Sequence, residues 1–163
     1  MAGKKDGEGK NPAFGSIAKN RQAFHRYEVL SKLECGLALT GTEVKSLREG
    51  HVAFADCFAA VQNGELFLFN LNISEYRMGN RFNHPATRKR KLLAHKREIR
   101  KLRAATEQRG LTLVPLGLHW SRGLAKVELG LVRGKQLHDK RDALRRKDQR
   151  RDAERSLRGL SKQ

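Results

Sequence analysis

The stretch Phe58-Ala59-Ala60-Val61-Gln62-Asn63-Gly64-Glu65-Leu66-Phe67-Leu68-Phe69 decides the fold class. Asn63-Gly64 suits the positive φ values of a two-residue turn, and the runs from Phe54 to Gln62 and from Glu65 to Leu71 read as strands, so a β-hairpin is expected. The spacing of Phe54, Phe58, Phe67 and Phe69 buries at least one face of it, and these rings are expected to pack in the core.

On the N-terminal side, Thr42 to Arg48 opens on a capping-type threonine, carries Val44 and Leu47 three apart and stops before Gly50, the pattern of a short helix. Before it, Tyr27 to Leu33 alternates imperfectly, as a half-buried strand does, and Gly36 is expected to bend the chain. On the C-terminal side, Tyr76 to Thr87 lacks periodicity and reads as a surface loop. Ile99, Leu102 and Ala105 or Thr106 then recur at helical spacing between about His95 and Arg109, with cations on the other faces and Gly110 as the stop. Leu111–Leu118 and Leu124–Val132 are two further strands joined through Ser121-Arg122-Gly123, and Pro115 marks an edge or a bulge. About five short strands with short helices make the chain mainly β, suited to an oligonucleotide-binding-like antiparallel β-barrel that hides its sheet edges; an open α+β sheet is the alternative.

The ends differ in composition from this centre. Residues 1–16 read as a flexible arm, the folded part is expected to start near Asn20, and the RNA-binding domain is placed at 17–136. Residues 139–163 hold ten Lys and Arg against five acids and no aromatic residue. Leu144, Leu157 and Leu160 form too thin an apolar stripe to stabilise a helix alone, so residues 137–163 are expected to be a basic tail, disordered when free and helical on a partner.

Thirty-five Lys and Arg against 17 Asp and Glu leave a formal charge of +18, which repels itself unless an anionic partner is bound. Nucleic acid, with regularly spaced phosphates and counterions to release, is favoured over an anionic membrane. No stretch approaches 18 apolar residues and the start has no signal-peptide pattern, so a cytoplasmic protein without membrane contact is expected. The densest basic run, residues 88–103, has nine cations and only Glu98 as an acid. Arg88, Lys89, Arg90, Lys91 and Lys96 are its candidate phosphate contacts, with Arg21 further upstream. Selectivity needs other groups, and Asn20, Glu34, Leu93, Asn83 and His84 border the patch. Glu34 is the potential reader of a base edge, although from spacing alone a surface acid paired with a cation is favoured. Tyr76, Phe82 and Trp120, on or near loops, are the aromatics better placed to stack on RNA.

Catalysis finds no candidate. Cys35 and Cys57 are expected to be reduced thiols, no serine sits in a glycine elbow, and there is no phosphate-loop or dinucleotide motif. Asp56, Glu65 and Glu75 are the only carboxylates considered for a metal-dependent nuclease, and their spacing does not argue for it. No metal or other cofactor is expected. A general RNA chaperone would need the same charge as a selective RNA binder, and selectivity at moderate salt separates the two.

Several stretches together resemble the SsrA-binding protein (SmpB) family of bacteria. They are Asn20-Arg21-Gln22-Ala23 with His25 and Tyr27, Glu34-Cys35-Gly36-Leu37, and Leu39 through Arg48. Asp56, Asn63-Gly64-Glu65, Thr87 through Leu93, Gly110 through Leu116, Gly134-Lys135 and His138-Asp139-Lys140-Arg141 follow in family order, so the likeness covers about residues 18–142. It implies a barrel that holds the transfer-RNA-like domain of tmRNA (SsrA RNA), with Asn20, Glu34 and Leu93 serving RNA binding. It also implies a tail that enters the empty mRNA channel of a stalled 70S ribosome as a helix. Lys135, His138, Asp139, Lys140, Arg141, Arg145, Arg146 and Lys147 would act there, His138 and its neighbours near the small-subunit decoding centre, for trans-translation. Alanyl-tRNA synthetase and elongation factor Tu would be indirect partners through tmRNA. Cys35, Phe58, Ala94 and Gln136 depart from the family's usual residues, and only Gln136 touches a functional stretch.

Overall fold

Strand pairing begins earlier than the sequence suggests. The structure, a computed structural model, describes residues 14–79, 83–108, 110–135 and 144–152. It opens with a strand at Phe14–Lys19 (β1), ahead of the expected start near Asn20 and overlapping the last three residues of the segment read as an arm. A helix at Arg21–Arg26 (α1), which the sequence reading missed, leads into the strand Tyr27–Leu37 (β2). Next come the helix Gly41–Arg48 (α2), the short strand Val52–Ala53 (β3), the hairpin strands Phe58–Gln62 (β4) and Glu65–Phe69 (β5), and the short strand Asn72–Ile73 (β6). The strand Arg90–Leu93 (β7), the helix Lys96–Thr106 (α3) and the strands Leu111–Ser121 (β8) and Leu124–Gly134 (β9) complete the domain.

The main sheet runs β1-β8-β4-β5-β7-β2-β9, and an additional β8–β9 pairing closes it into a ring. The expected antiparallel barrel is therefore present. Three of its strands, β2, β8 and β9, have 11 residues rather than being short. β3 pairs with β6 as a separate two-stranded sheet. On the edge away from β9, β8 serves two partners: Leu113 faces Ala59 of β4, whereas Gly117 to Ser121 face β1. The register shift between Pro115 and Gly117 falls between these stretches, at the proline expected to mark a bulge.

The hairpin forms as its turn residues require, with Asn63 at φ 51 and Gly64 at φ 75. Phe54 packs against the core as expected, but the phase of the two paired strands is the reverse of the expectation. Leu66 and Leu68 are fully buried in the barrel interior, while Phe58 and Phe69 stack on the outer face with centroids 5.0 Å apart. Interior positions of a small barrel are filled by a few side chains of limited size, and leucines rather than phenylalanines fill them here, with Leu92, Leu113, Leu118, Val127 and Leu129. Gly36 likewise does not bend the chain. It lies within β2, where an added Cβ would come within 3.2 Å of the Leu93 Cβ, so glycine there permits close approach of β7. Cys35 and Cys57 are buried free thiols, and burial pushes them up to about 11 and about 12, which keeps them protonated and unreactive.

The strongest departure concerns the basic run. Arg90 has no exposed surface, and its guanidinium meets the buried Glu43 of α2 at 2.8 Å. Arg88 meets the same carboxylate at 2.6 Å, and Glu43 also accepts the Thr40 backbone N–H at 3.0 Å, closing a capping box at the start of α2. Arg90 further donates to the carbonyls of Leu71, Ala86 and Arg88. Burial pushes the Glu43 carboxyl up, but the hydrogen bonds from Arg88 and Thr40 and the charge of Arg90 outweigh it and hold it below its ordinary value.

Removing Glu43 strands two guanidinium groups, one of them fully buried. Glu43→Ala is expected to lower stability by about 3–5 kcal/mol, measured as a shift in the urea midpoint. Because the folded carboxyl titrates below its unfolded value near 4.5, its contribution is complete above that pH and is lost as pH falls through the lowered folded value. Acid titration of the urea midpoint should show this loss in the wild type and not in Glu43→Gln.

Candidate RNA-binding surface

Alternation along β2 puts Cys35 inward and Glu34 outward, and the same alternation on β9 and β8 turns Lys126, Glu128 and His119 outward around buried Val127 and Leu118. Register then assembles a site. Glu34 faces Glu128, Gly36 faces Lys126, and His119 faces Lys126 from the other side of β9. The Glu34 carboxylate reaches across β9 to His119, with Oε2 2.9 Å from Nε2. On the other flank Gly36 faces Leu93 of β7, which is 55% exposed despite being a leucine. Glu34, Gly36, Leu93, Ala94, His95 and Lys126 line an open hollow of about 360 Å³, with Glu98 at its edge. It combines a half-exposed carboxylate that accepts N–H groups, an apolar surface for a base or sugar, and a cation for phosphate. Glu34 and Leu93, read separately in the sequence, are neighbours here. Glu34 is paired as its spacing suggested, but with His119, which was not singled out, rather than with a lysine or arginine.

The cations of residues 88–103 divide into two groups. Arg88 and Arg90 hold the barrel together through Glu43, so Arg90 is withdrawn from any RNA and Arg88 is largely committed. This weighs against Arg90 as a phosphate contact, because a guanidinium without exposed surface cannot reach a phosphate, whereas the Arg88 side chain stays 26% exposed. Lys89, just before β7, and Lys91 within it point outward. Lys89 donates to Gln62 at 2.7 Å and lies 3.9 Å over the Phe67 ring, and Lys91 pairs with Glu65 at 2.6 Å. On α3, Ile99 and Leu102 form the expected buried stripe and leave Lys96, Arg97, Arg100, Lys101 and Arg103 exposed. A capping contact from Glu98 to the His95 backbone N–H starts this helix beside the Glu34 hollow. The cationic face and Glu34 are therefore adjacent.

Asn20 is not with them. It is 7% exposed, accepts the Ala23 N–H to cap α1 and donates to the Pro115 carbonyl at 2.8 Å, so its side chain fixes α1 on β8 and has little left to offer RNA. Arg21 beside it is exposed. Lys135 donates to the Phe24 carbonyl at 3.0 Å, tying the root of the tail to α1. His138, Asp139, Lys140 and Arg141 lie outside the described residues. Arg145, Arg146 and Lys147 lie in a helix over 144–152 with exposed side chains. Trp120 packs partly against the core, and Tyr76 is partly buried with Lys45 over its ring; Phe82 lies outside the described residues. Asn83 exchanges hydrogen bonds with the Tyr76 backbone, and His84 is exposed. Asp56 sits near the open end of the β4–β5 hairpin and Glu65 at its turn, and among the described residues no group of three or more His, Cys, Asp or Glu is placed to hold a metal ion.

If the α3 cations meet phosphates, Lys96→Ala and Arg100→Ala should each flatten the slope of log affinity for a folded RNA against log salt by about 1. Gel shifts at several salt concentrations measure this. Arg90→Ala should instead lower the thermal midpoint.

Comparison with known proteins places this geometry in context. A family model described as SmpB protein matches residues 17–159. The SsrA-binding protein of Carboxydothermus hydrogenoformans is 54% identical over 142 residues, covering 87% of this chain and 95% of its own. That of Acaryochloris marina is 54% identical, covering 89% and 95%, and that of Geobacter sulfurreducens is 50% identical, covering 90% and 95%. A solved structure described as "tmRNA-SmpB: a journey to the center of the bacterial ribosome" contains a chain 52% identical to this one, with a TM-score of 0.64 over 79% of this chain and 94% of that chain.

Proposed function

This chain belongs to the SmpB protein family, and on that premise we propose that the face around Glu34 and Leu93 holds the transfer-RNA-like domain of tmRNA while the C-terminal tail senses an empty mRNA channel. The protein binds tmRNA and acts with it on the bacterial ribosome in trans-translation. The observation that carries the assignment of the face is the exposed Glu34 carboxylate beside an exposed leucine and next to a cationic helix. A carboxylate in so basic a protein weakens phosphate binding unless it accepts hydrogen bonds from a base, so its place there favours selection over general affinity. His119 fixes the Glu34 carboxylate on this outer face, and Lys126 and the α3 cations take the neighbouring phosphates.

The tail reading is supported by charge and by reach. Its root at Lys135 is anchored to α1, and the helix over 144–152 presents Arg145, Arg146 and Lys147 to solvent. A cationic helix of this kind fits a channel lined with ribosomal RNA only when no messenger fills it. His138, Asp139, Lys140 and Arg141 would then lie near the decoding centre. Alanyl-tRNA synthetase and elongation factor Tu are reached through tmRNA, and the chain supplies no catalytic step of its own. The protein works in the cytoplasm with the ribosome. No helix of the described residues is long and apolar enough to cross a membrane.

Two gel-shift series test the division of labour. Glu34→Ala should reduce the preference for tmRNA over bulk transfer RNA by about tenfold while changing affinity for transfer RNA little. Removing residues 139–163 should leave tmRNA binding largely intact and abolish peptide tagging on stalled ribosomes. Loss of both activities together by the truncation would overturn the proposal.

A further inference from the structure

A second hollow lies where α1 meets the open end of the β4–β5 hairpin, and of its elements β2 and β8 also contribute to the Glu34 face. Tyr27 lines it and is seven residues from Glu34, roughly 20 Å along a strand. Its volume is about 290 Å³, enough for one nucleobase, and Gln22, Arg26, Asp56, Phe58 and Thr112 complete its working wall. Phe58 is 41% exposed although it stacks on Phe69 at an interplanar angle of 14°, so a flat ligand in the hollow continues an aromatic stack already formed. Asp56 presents a carboxylate from a left-handed backbone, φ 51, a strained conformation for a residue other than glycine. The Asn70 side chain holds that turn by donating to the Asp56 carbonyl at 3.3 Å. An adjoining hollow of about 370 Å³ brings Lys19 and Arg21 alongside.

We propose that this hollow takes one unpaired guanine base of a bound RNA, stacked on Phe58 and read by Asp56, with Lys19, Arg21 and Arg26 on the flanking phosphates. The chemistry selects the base. An ionised carboxylate only accepts hydrogen bonds, and guanine offers two adjacent N–H groups on its Watson–Crick edge, whereas adenine sets a ring-nitrogen acceptor against it. A membrane or an acidic peptide would gain from the cations but would set negative charge against Asp56 and leave the aromatic stack unused. The site is independent of the Glu34 face and of which folded RNA carries the base.

The test uses the full chain and fluorescently labelled five-nucleotide RNAs, uridines with a central guanosine or adenosine, followed by anisotropy at moderate salt. The guanosine RNA should bind about tenfold more tightly than the adenosine RNA. Asp56→Asn should bring the two together mainly by weakening the first. Phe58→Leu should weaken both by about five- to a hundredfold, and Phe58→Trp should retain binding. In Phe58→Trp, the guanosine RNA should quench indole emission beyond any change seen from Trp120 in the wild type. In a Glu34→Ala background, Asp56→Asn and Phe58→Leu should still cause these same losses, which separates failure here from failure of the Glu34 reading. Equal binding of the two RNAs by the wild type, or wild-type binding by Phe58→Leu with an unchanged thermal midpoint, would overturn the proposal. Absence of quenching in Phe58→Trp would overturn it even if Phe58→Leu does not fold.

Discussion

A carboxylate held between two guanidinium groups fixes the arrangement on which both surfaces of this barrel depend. Glu43 belongs to α2, Arg88 to the segment entering β7 and Arg90 to β7 itself, so one buried ion cluster joins a helix, a loop end and a strand. Such a cluster adds little net stability over a hydrophobic replacement, but breaking it is costly, and that asymmetry fixes geometry. It sets which side of β7 faces inward. With Arg90 and Leu92 turned in, Lys91 and Leu93 must turn out, and Leu93 arrives against Gly36 beside Glu34.

The outer face carries its charges differently. Lys32 with Glu128, Arg133 with Glu28 and Lys91 with Glu65 are solvent-exposed pairs at 2.6–3.0 Å. Pairs of this kind contribute about 0–1 kcal/mol each and serve mainly to align side chains. Even with all 17 acids counted against the 35 cations, a net charge of +18 remains to be screened by an anionic partner. Binding an RNA relieves that repulsion, which ties the chain's charge to its function rather than to its fold.

Local chemistry was legible in the sequence wherever it is set by neighbours along the chain. The Asn63-Gly64 turn, the amphipathic stripe of Ile99 and Leu102, the Pro115 bulge and the glycine stop at Gly50 all depend on a few adjacent residues. The errors have a common cause. Arg90 looked like its neighbours in a basic run, the Phe58–Phe69 pair looked like core, and Gly36 looked like a bend, because each role is decided by a strand or helix distant in sequence. β1 is not legible in the sequence, since Phe14, Ile17 and Ala18 do not alternate with polar residues, and the segment becomes a strand where β8 offers it an edge.

The sequence by itself determined the class of partner, the hairpin at the centre, the closed-barrel expectation and, through the resemblance, the family. These follow from composition, short-range spacing and motif order, which need no third dimension. Only the tertiary structure decided which cations are free. Alternation gives each strand two faces without saying which is inside, and the choice is made when closure of the ring buries Leu66, Leu68 and Arg90 together. The same closure brings Glu34, His119 and Leu93, spread over 86 positions of sequence, onto one exposed face.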